Sequence, residues 1–162
     1  MDVLDVGSIQ GDEYYTLPIH VHDICDCLVP LKNAVIWLPF DTDESQFSIV
    51  MRERGYKNIV NTSTDFFFTD PPENCGAIIS NPPFSKKREV LKRVRELDIP
   101  FALMCPALWI NDGVPFDFGR QMIWWRKRVH FMTPEGVKNK ARTTCFVLSN
   151  GLLKRDLTII DH

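Results

Sequence analysis

The stretch "AIISNPPFSKK", residues 77 to 87, reads as the end of one element, a rigid turn and the start of another. Four apolar or small residues run into Asn81, and a short apolar run bounded by turn residues is the pattern of a buried strand. Pro82 and Pro83 then exclude helix, hold φ near about -65° and donate no backbone hydrogen bonds. Ser85 reads as an N-cap for a helix over Lys86 to Leu97, where Val90, Leu91 and Val94 form an apolar stripe. A strand, a turn and a helix in that order make one unit of an α/β fold.

The same alternation extends both ways. Upstream, Asn33 to Leu38 reads as a buried strand closed by Pro39, Ser45 to Arg54 as a helix stopped at Gly55, and Asn58 to Val60 as the next strand. A helix from Ile19 to Leu28 ends before Pro30, and residues 1 to 16 are polar and expected to be irregular. Downstream, Phe101 to Cys105 is a strand ended by Pro106. After Trp124 the pattern changes: Arg128 to Thr133, Thr143 to Ser149 and Leu157 to Ile160 read as strands with no long helix between them. The expectation is an α/β, Rossmann-like fold, a mostly parallel sheet with an antiparallel C-terminal edge. One domain over residues 1 to 162 is expected, with no separate target-recognition domain.

Composition excludes some classes. Hydrophobic residues at 44% and charged residues at 25% are ordinary for a soluble globular chain. No apolar run is long enough to span a membrane, and the start, Met1-Asp2-Val3-Leu4-Asp5, lacks the basic and apolar regions of a signal peptide. A cytoplasmic setting is expected. Five cysteines at spacings that form no disulfide framework are expected to be reduced thiols. The net charge of -2 hides an asymmetry: residues 1 to 81 hold 13 acids and 4 bases, residues 82 to 162 hold 8 acids and 15 bases. A basic half implies a face for a polyanion.

In an open α/β sheet, ligands bind beyond the carboxyl ends of the strands. Pro39-Phe40-Asp41, Asn61 to Asp65, Asn81 to Phe84 and Pro106 all fall at such ends. Asn81 offers an acceptor and a donor in one amide, the prolines offer carbonyls, and Phe84 offers a flat apolar face. Together they suit a flat group bearing an exocyclic amine. Two acceptors bind the amine hydrogens and leave its lone pair aimed at an electrophile, which is the requirement for methylating an adenine amine from a sulfonium. A base inside a duplex must first leave the stack, and an aromatic ring helps to hold it.

Asn81-Pro82-Pro83-Phe84 resembles the catalytic tetrapeptide of amino-methyltransferases that use S-adenosylmethionine. Asp65-Phe66-Phe67 resembles that family's Asp-Phe-Phe/Leu element, whose acid approaches the cofactor adenine. Asp12-Glu13-Tyr14-Tyr15-Thr16-x-Pro18 is similar to the N-terminal Tyr-Thr-Pro element of small phage-type DNA adenine methyltransferases. The resemblance spans roughly residues 12 to 149. It implies catalytic roles for Asn81, Pro82, Pro83 and Phe84. It implies cofactor contacts from Tyr15, Thr16, Pro39, Phe40, Asp41, Asp65, Phe66 and Asn81. DNA, with RNA as the other nucleic acid, is the implied partner, beside a recognition subunit or a second copy of the chain. Lys86, Lys87, Arg88, Arg126, Lys138, Lys140 and Arg142 are the expected nucleic-acid contacts. No metal is expected. The chain departs from the family in two places. Where the cofactor loop should read Asp-x-Phe-x-Gly-x-Gly, residues 38 to 45 read Leu-Pro-Phe-Asp-Thr-Asp-Glu-Ser, leaving Asp41 and Asp43 as substitute carboxylates. The second strand ends Asn61-Thr62-Ser63 instead of in an acid.

Two other classes of reading stand beside this one: methylation of an RNA base or a protein glutamine amide, and a binding protein that kept the fold and lost catalysis. Several further signals have plainer readings. Asp70-Pro71-Pro72-Glu73 lacks a preceding strand and reads as a turn. His20-x-His22-Asp23-x-Cys25-x-Cys27 places its groups two apart, off a common helix face. Trp124 and Trp125 read as core rather than as a stacking platform, and the basic clusters read equally as solvated surface.

Overall fold

The computed structural model describes residues 15 to 162 apart from 63, 134–135 and 139–143. Its elements in chain order are β1 (Tyr15–Thr16), α1 (Pro18–Cys27), β2 (Val35–Leu38), α2 (Gln46–Glu53), β3 (Asn58–Asn61), β4 (Cys75–Ser80), α3 (Lys87–Leu97), β5 (Phe101–Pro106), β6 (Gln121–Trp125), β7 (Phe131–Thr133), β8 (Gly136–Lys138), β9 (Cys145–Asn150) and β10 (Leu157–Ile160). Short 3-10 turns cover Phe84–Lys86, Ala107–Asp112 and Val114–Asp117. Among the described residues, seven strands form one sheet in the order β10-β6-β9-β5-β4-β2-β3, and β1-β7-β8 form a second, three-stranded sheet. The large sheet is mostly parallel, with helices on both faces, an architecture compatible with a Rossmann-like fold. Among the described residues no helix is long and apolar enough to cross a membrane.

Alternation along the strands builds two cores. Ile36 and Leu38 of β2, Ala77 and Ile79 of β4 and Ala102 and Met104 of β5 point to the face covered by Val21, Ile24, Phe47, Val50 and Met51 of α1 and α2. Trp37, Ile78, Leu103 and Cys105 point to the other face, where Val90, Leu91 and Val94 of α3 meet them with Trp109. The apolar stripe read on α3 is therefore its buried face. Trp125 and Trp124, neighbours on β6, pack into opposite cores, Trp125 fully buried and Trp124 partly.

Five expectations change. The antiparallel C-terminal strand lies inside the sheet: β9 runs against both β5 and β6, while β10 pairs parallel with β6 at the edge. The reason is burial. Residues 145 to 149 of β9 are buried on both sides, which suits an interior strand, whereas β10 leaves Leu157 and Ile159 exposed. Ser85 does not cap α3. The Lys86 N–H donates to the Pro83 carbonyl at 3.2 Å, a 3-10 turn absorbs Ser85, and Lys86 takes the cap position without a side-chain bond. Tyr15 and Thr16, expected to be irregular, form a strand paired with β7. The segment before Arg128 contributes a strand of its own, β6. A turn is expected over Asp70 to Glu73; the turn observed runs two residues later, over Pro72 to Cys75, closed by the Cys75 N–H on the Pro72 carbonyl at 3.1 Å.

Candidate functional site

β5, β4, β2 and β3 are neighbours and parallel, so Pro106, Ser80, Leu38 and Asn61 end on one edge of the sheet. With strands about 4.8 Å apart, those four ends span roughly 15 Å. The turn after β2 is closed by the Asp41 N–H on the Leu38 carbonyl at 3.3 Å. It aims the partly buried Asp41 carboxylate across to β4, where the Ser80 hydroxyl donates to Oδ2 at 2.5 Å. Burial pushes the Asp41 carboxyl up to about 6, against hydrogen bonds from Ser80 and Ser45 that favour the anion.

Asn81 follows at once. Its Nδ2 donates to Thr16 Oγ1 at 3.4 Å, and the Thr16 hydroxyl in turn points at Met104 Sδ, 3.7 Å away. Pairing of β1 with β7, Thr16 opposite Phe131, holds Thr16 in place. The Asn81 oxygen is buried and has no hydrogen-bond partner among the described residues. A buried acceptor without a partner costs about 1–3 kcal/mol, and this one stands directly after the carboxyl end of β4. Pro82 is buried and Pro83 partly so; the Pro83 carbonyl is already taken by Lys86 N–H, leaving the Pro82 carbonyl as the proline acceptor of interest. The side chains of Tyr15, Phe84 and Lys87 lie outside the described residues.

Aromatic rings build the wall beside β2 and β3. Pro39 is buried and Phe40 partly exposed. The Phe40 ring centre lies 4.9 Å from that of buried Phe66, which also packs on Trp37 at 5.4 Å and Phe67 at 5.5 Å. Asp65 is exposed and braces its own turn: Oδ1 accepts the Phe67 N–H at 2.9 Å, and its carbonyl accepts from Phe68 N–H and the Thr69 hydroxyl at 3.1 and 2.6 Å. Asp43, the other substitute carboxylate, is a brace as well. Its Oδ1 accepts from Arg52 at 2.6 Å and from Asn61 Nδ2 at 2.8 Å, and the Arg52 guanidinium holds its carboxyl below the usual range. Ser48 ties the network to the loop through the Thr42 carbonyl at 2.6 Å and Asn61 Oδ1 at 3.0 Å.

Lys86 and Arg88 are exposed at the start of α3, with the Lys86 ammonium 5.3 Å from the centre of the Phe67 ring. Arg126 follows β6, three strands from β4, and pairs with Asp161 at 2.9 Å. Lys138 closes β8, its side chain outside the described residues, as are Lys140 and Arg142 altogether. The His/Cys segment lies on α1. Its buried Asp23 accepts from Trp125 Nε1 at 2.8 Å and meets His162 Nε2 at 2.9 Å, and His20 sits edge-on to Trp125. Among the described residues no group of three or more His, Cys, Asp or Glu side chains is arranged for a metal.

The structure pairs Asp41 with Ser80 and Thr16 with Asn81 at the end of β4, and packs Phe40, after β2, on Phe66, after β3. The sequence reading missed Ser80; the signal was a hydroxyl ending an otherwise apolar strand. It also missed Ser48 and the structural use of Asn61. No protein-family model matches the chain, and no curated protein matches it.

Proposed function

We propose that the chain transfers a methyl group from S-adenosylmethionine to the exocyclic amine of adenine in DNA. The observation that carries this reading is the Asn81 amide: its nitrogen is occupied by Thr16 and its oxygen is buried, unpartnered among the described residues and just past the carboxyl end of β4. An acceptor so placed suits an amine hydrogen. The Pro82 carbonyl is the second acceptor, and Phe84 is the stacking surface for the base. The cofactor supplies an electrophilic methyl group when bound. The residues present fit it: Phe40, backed by Phe66, offers a flat apolar wall for a purine, and Asp41 offers an acceptor for hydroxyl or ammonium groups. Fixed acceptors lower the barrier by orienting the amine before transfer, with no reorganisation during it. The amine proton leaves to solvent after transfer.

A second reading, a binding protein of this fold without catalysis, is favoured by one observation. The loop from Asp41 to Ser45 has no glycine for close backbone approach, and side-chain bonds through Asp43, Ser48 and Asn61 lace it together.

The test is methyl transfer from labelled cofactor to unmethylated DNA, with RNA and cell protein as parallel acceptors. Asn81→Ala is expected to slow transfer on the order of 100-fold or more while leaving the melt and cofactor affinity intact. Phe84→Ala is expected to weaken base capture by about 1–3 kcal/mol. Label in RNA or protein alone would remove the DNA assignment. Cofactor binding without any transfer would favour the second reading. Full activity of Asn81→Ala would end the account of the amide.

A further inference from the structure

Six large apolar side chains are exposed among the described residues, two of them, Leu157 and Ile159, on β10 at one edge of the sheet. Phe68, 89% exposed, stands on the segment leaving the carboxyl end of β3. Leu108 and Phe116, also exposed, stand on the segment leaving the carboxyl end of β5. Ile19 is exposed three residues after Thr16, whose hydroxyl meets Asn81. β4 and its Asn81 lie among the strands these segments leave. Three of the exposed apolar side chains thus stand on segments that leave the carboxyl ends of β3 and β5. Phe68 is the extreme case, and its turn is firmly built. Asp65 fastens it through Phe67 N–H, Phe68 N–H and the Thr69 hydroxyl, and Arg93 donates to the Thr69 carbonyl at 3.2 Å. A turn so fastened presents its ring by construction. Lys86 lies over the adjacent Phe67 ring, and Arg88 is exposed at the start of the same helix. The acids Asp65 and Asp70 flank Phe68 itself, which disfavours a phosphate at the ring and leaves its face to an uncharged flat group.

We propose that this rim holds a nucleic-acid strand whose bases are unstacked, with Phe68 stacking on a base neighbouring the one at Asn81, and Lys86 and Arg88 taking the phosphates. Unpaired bases expose their faces, and aromatic stacking on them is independent of sequence. A perfect duplex hides those faces and offers only phosphates and groove edges to the same rim. The proposal rests on the nucleic-acid reading above and deepens it by naming the preferred substrate form, a single strand or a locally opened duplex.

The test is fluorescence anisotropy of the full chain on three labelled DNAs: an adenine-containing single strand, its perfect duplex, and the duplex with an unpaired adenine. The wild type is expected to bind the first and third more tightly than the second. Phe68→Ala should lose about 5- to 100-fold affinity for those two while its melt and its affinity for S-adenosylmethionine stay unchanged. Phe68→Trp should retain affinity and Phe68→Leu should not, because a leucine is apolar but cannot stack. Equal binding of all three DNAs by the wild type, or wild-type affinity in Phe68→Ala, would overturn the proposal. So would a loss of cofactor affinity in Phe68→Ala matching its loss of DNA affinity, since the ring would then cover the cofactor. A shift of Phe68→Ala from dimer to monomer with DNA binding intact would overturn it too, assigning the ring to a second copy of the chain. Transfer to DNA with Phe68→Ala neutral would remove only this inference. Phe68-dependent strand binding without transfer would remove only the methyl-transfer reading.

Discussion

Asp41 holds its proton to about pH 6 because the anion loses more by burial than it gains from the Ser80 and Ser45 hydroxyls. The native carboxyl therefore binds a proton more tightly than the unfolded one, whose ordinary value is 3.8. Its contribution to stability is present below that ordinary value and is lost as pH rises through about 6. Asp41→Asn keeps the shape and an acceptor for Ser80 but carries no charge. Urea melts should show the variant equal to wild type near pH 4 and more stable at pH 8, by about 1–2 kcal/mol given the residue's partial exposure. A gap that does not change with pH would remove this account. Thr16 acts on its neighbour in a different way. By accepting from Asn81 Nδ2 it sets which end of the amide faces the crevice. Thr16→Val keeps the volume and removes that acceptor, so methyl transfer should fall up to about tenfold, with Thr16→Ser restoring it. Failure of the serine to rescue would assign Thr16 to packing alone.

α2 is where an element and the candidate site share the same bonds. Ser45 caps the helix by accepting the Ser48 N–H at 3.3 Å, and the buried Ser48 hydroxyl fixes both the Thr42 carbonyl and Asn61 at the end of β3. Ser45→Ala should cost about 1 kcal/mol as a lost cap. Ser48→Ala should cost about 1–3 kcal/mol because the one proton of this buried hydroxyl, shared by the Thr42 carbonyl and Asn61 Oδ1, is lost. Urea denaturation measures both, and a Ser48→Ala cost no larger than that of Ser45→Ala would show that the loop does not depend on this hydroxyl. The start and stop of α2 were legible locally: the helix reads as starting at Ser45, which the structure makes its cap, and Gly55, at φ 89, terminates it where only glycine is unstrained. The start of α3 was not. Ser85 has the chemistry of a cap, but two preceding prolines deliver the chain in a geometry that places Lys86 there instead.

Over the whole molecule, charge and burial make separable demands. The basic half should carry any nucleic-acid affinity. Neutralising Lys86, Lys87 and Arg88 together should lower the slope of log K against log salt by roughly one unit for each phosphate that these side chains neutralise. The same experiment on Lys138, Lys140 and Arg142 tests the second patch. If neither triple variant alters DNA retention, both patches are solvated surface. Asp23 joins three distant parts of the chain, accepting from Trp125 of β6 and meeting His162 beyond β10, with His20 beside them. Burial lowers the pKa of His20, partly opposed by Asp23. A histidine held below its ordinary value of 6.5 contributes stability above that value, which is lost as pH falls through the native one. His20→Phe should therefore show a smaller loss of stability between pH 7 and pH 5 than wild type. An unchanged acid limb in thermal melts would remove His20 as its source.

What the chain determined by itself was local: which residues alternate, where glycine and proline stop an element, and that Asn81 stands at the end of a buried strand. These follow from side-chain periodicity and backbone restriction within a few residues. Tertiary structure decided which strands are neighbours. Backbone ladders are chemically alike in every strand, so partners are chosen by burial on both faces. That choice put β9 inside the sheet and β10 at its edge. It also decided the site's internal bonds. Ser80 meets Asp41 only because β4 lies beside β2, and Thr16 meets Asn81 from a strand held by β7, far along the chain.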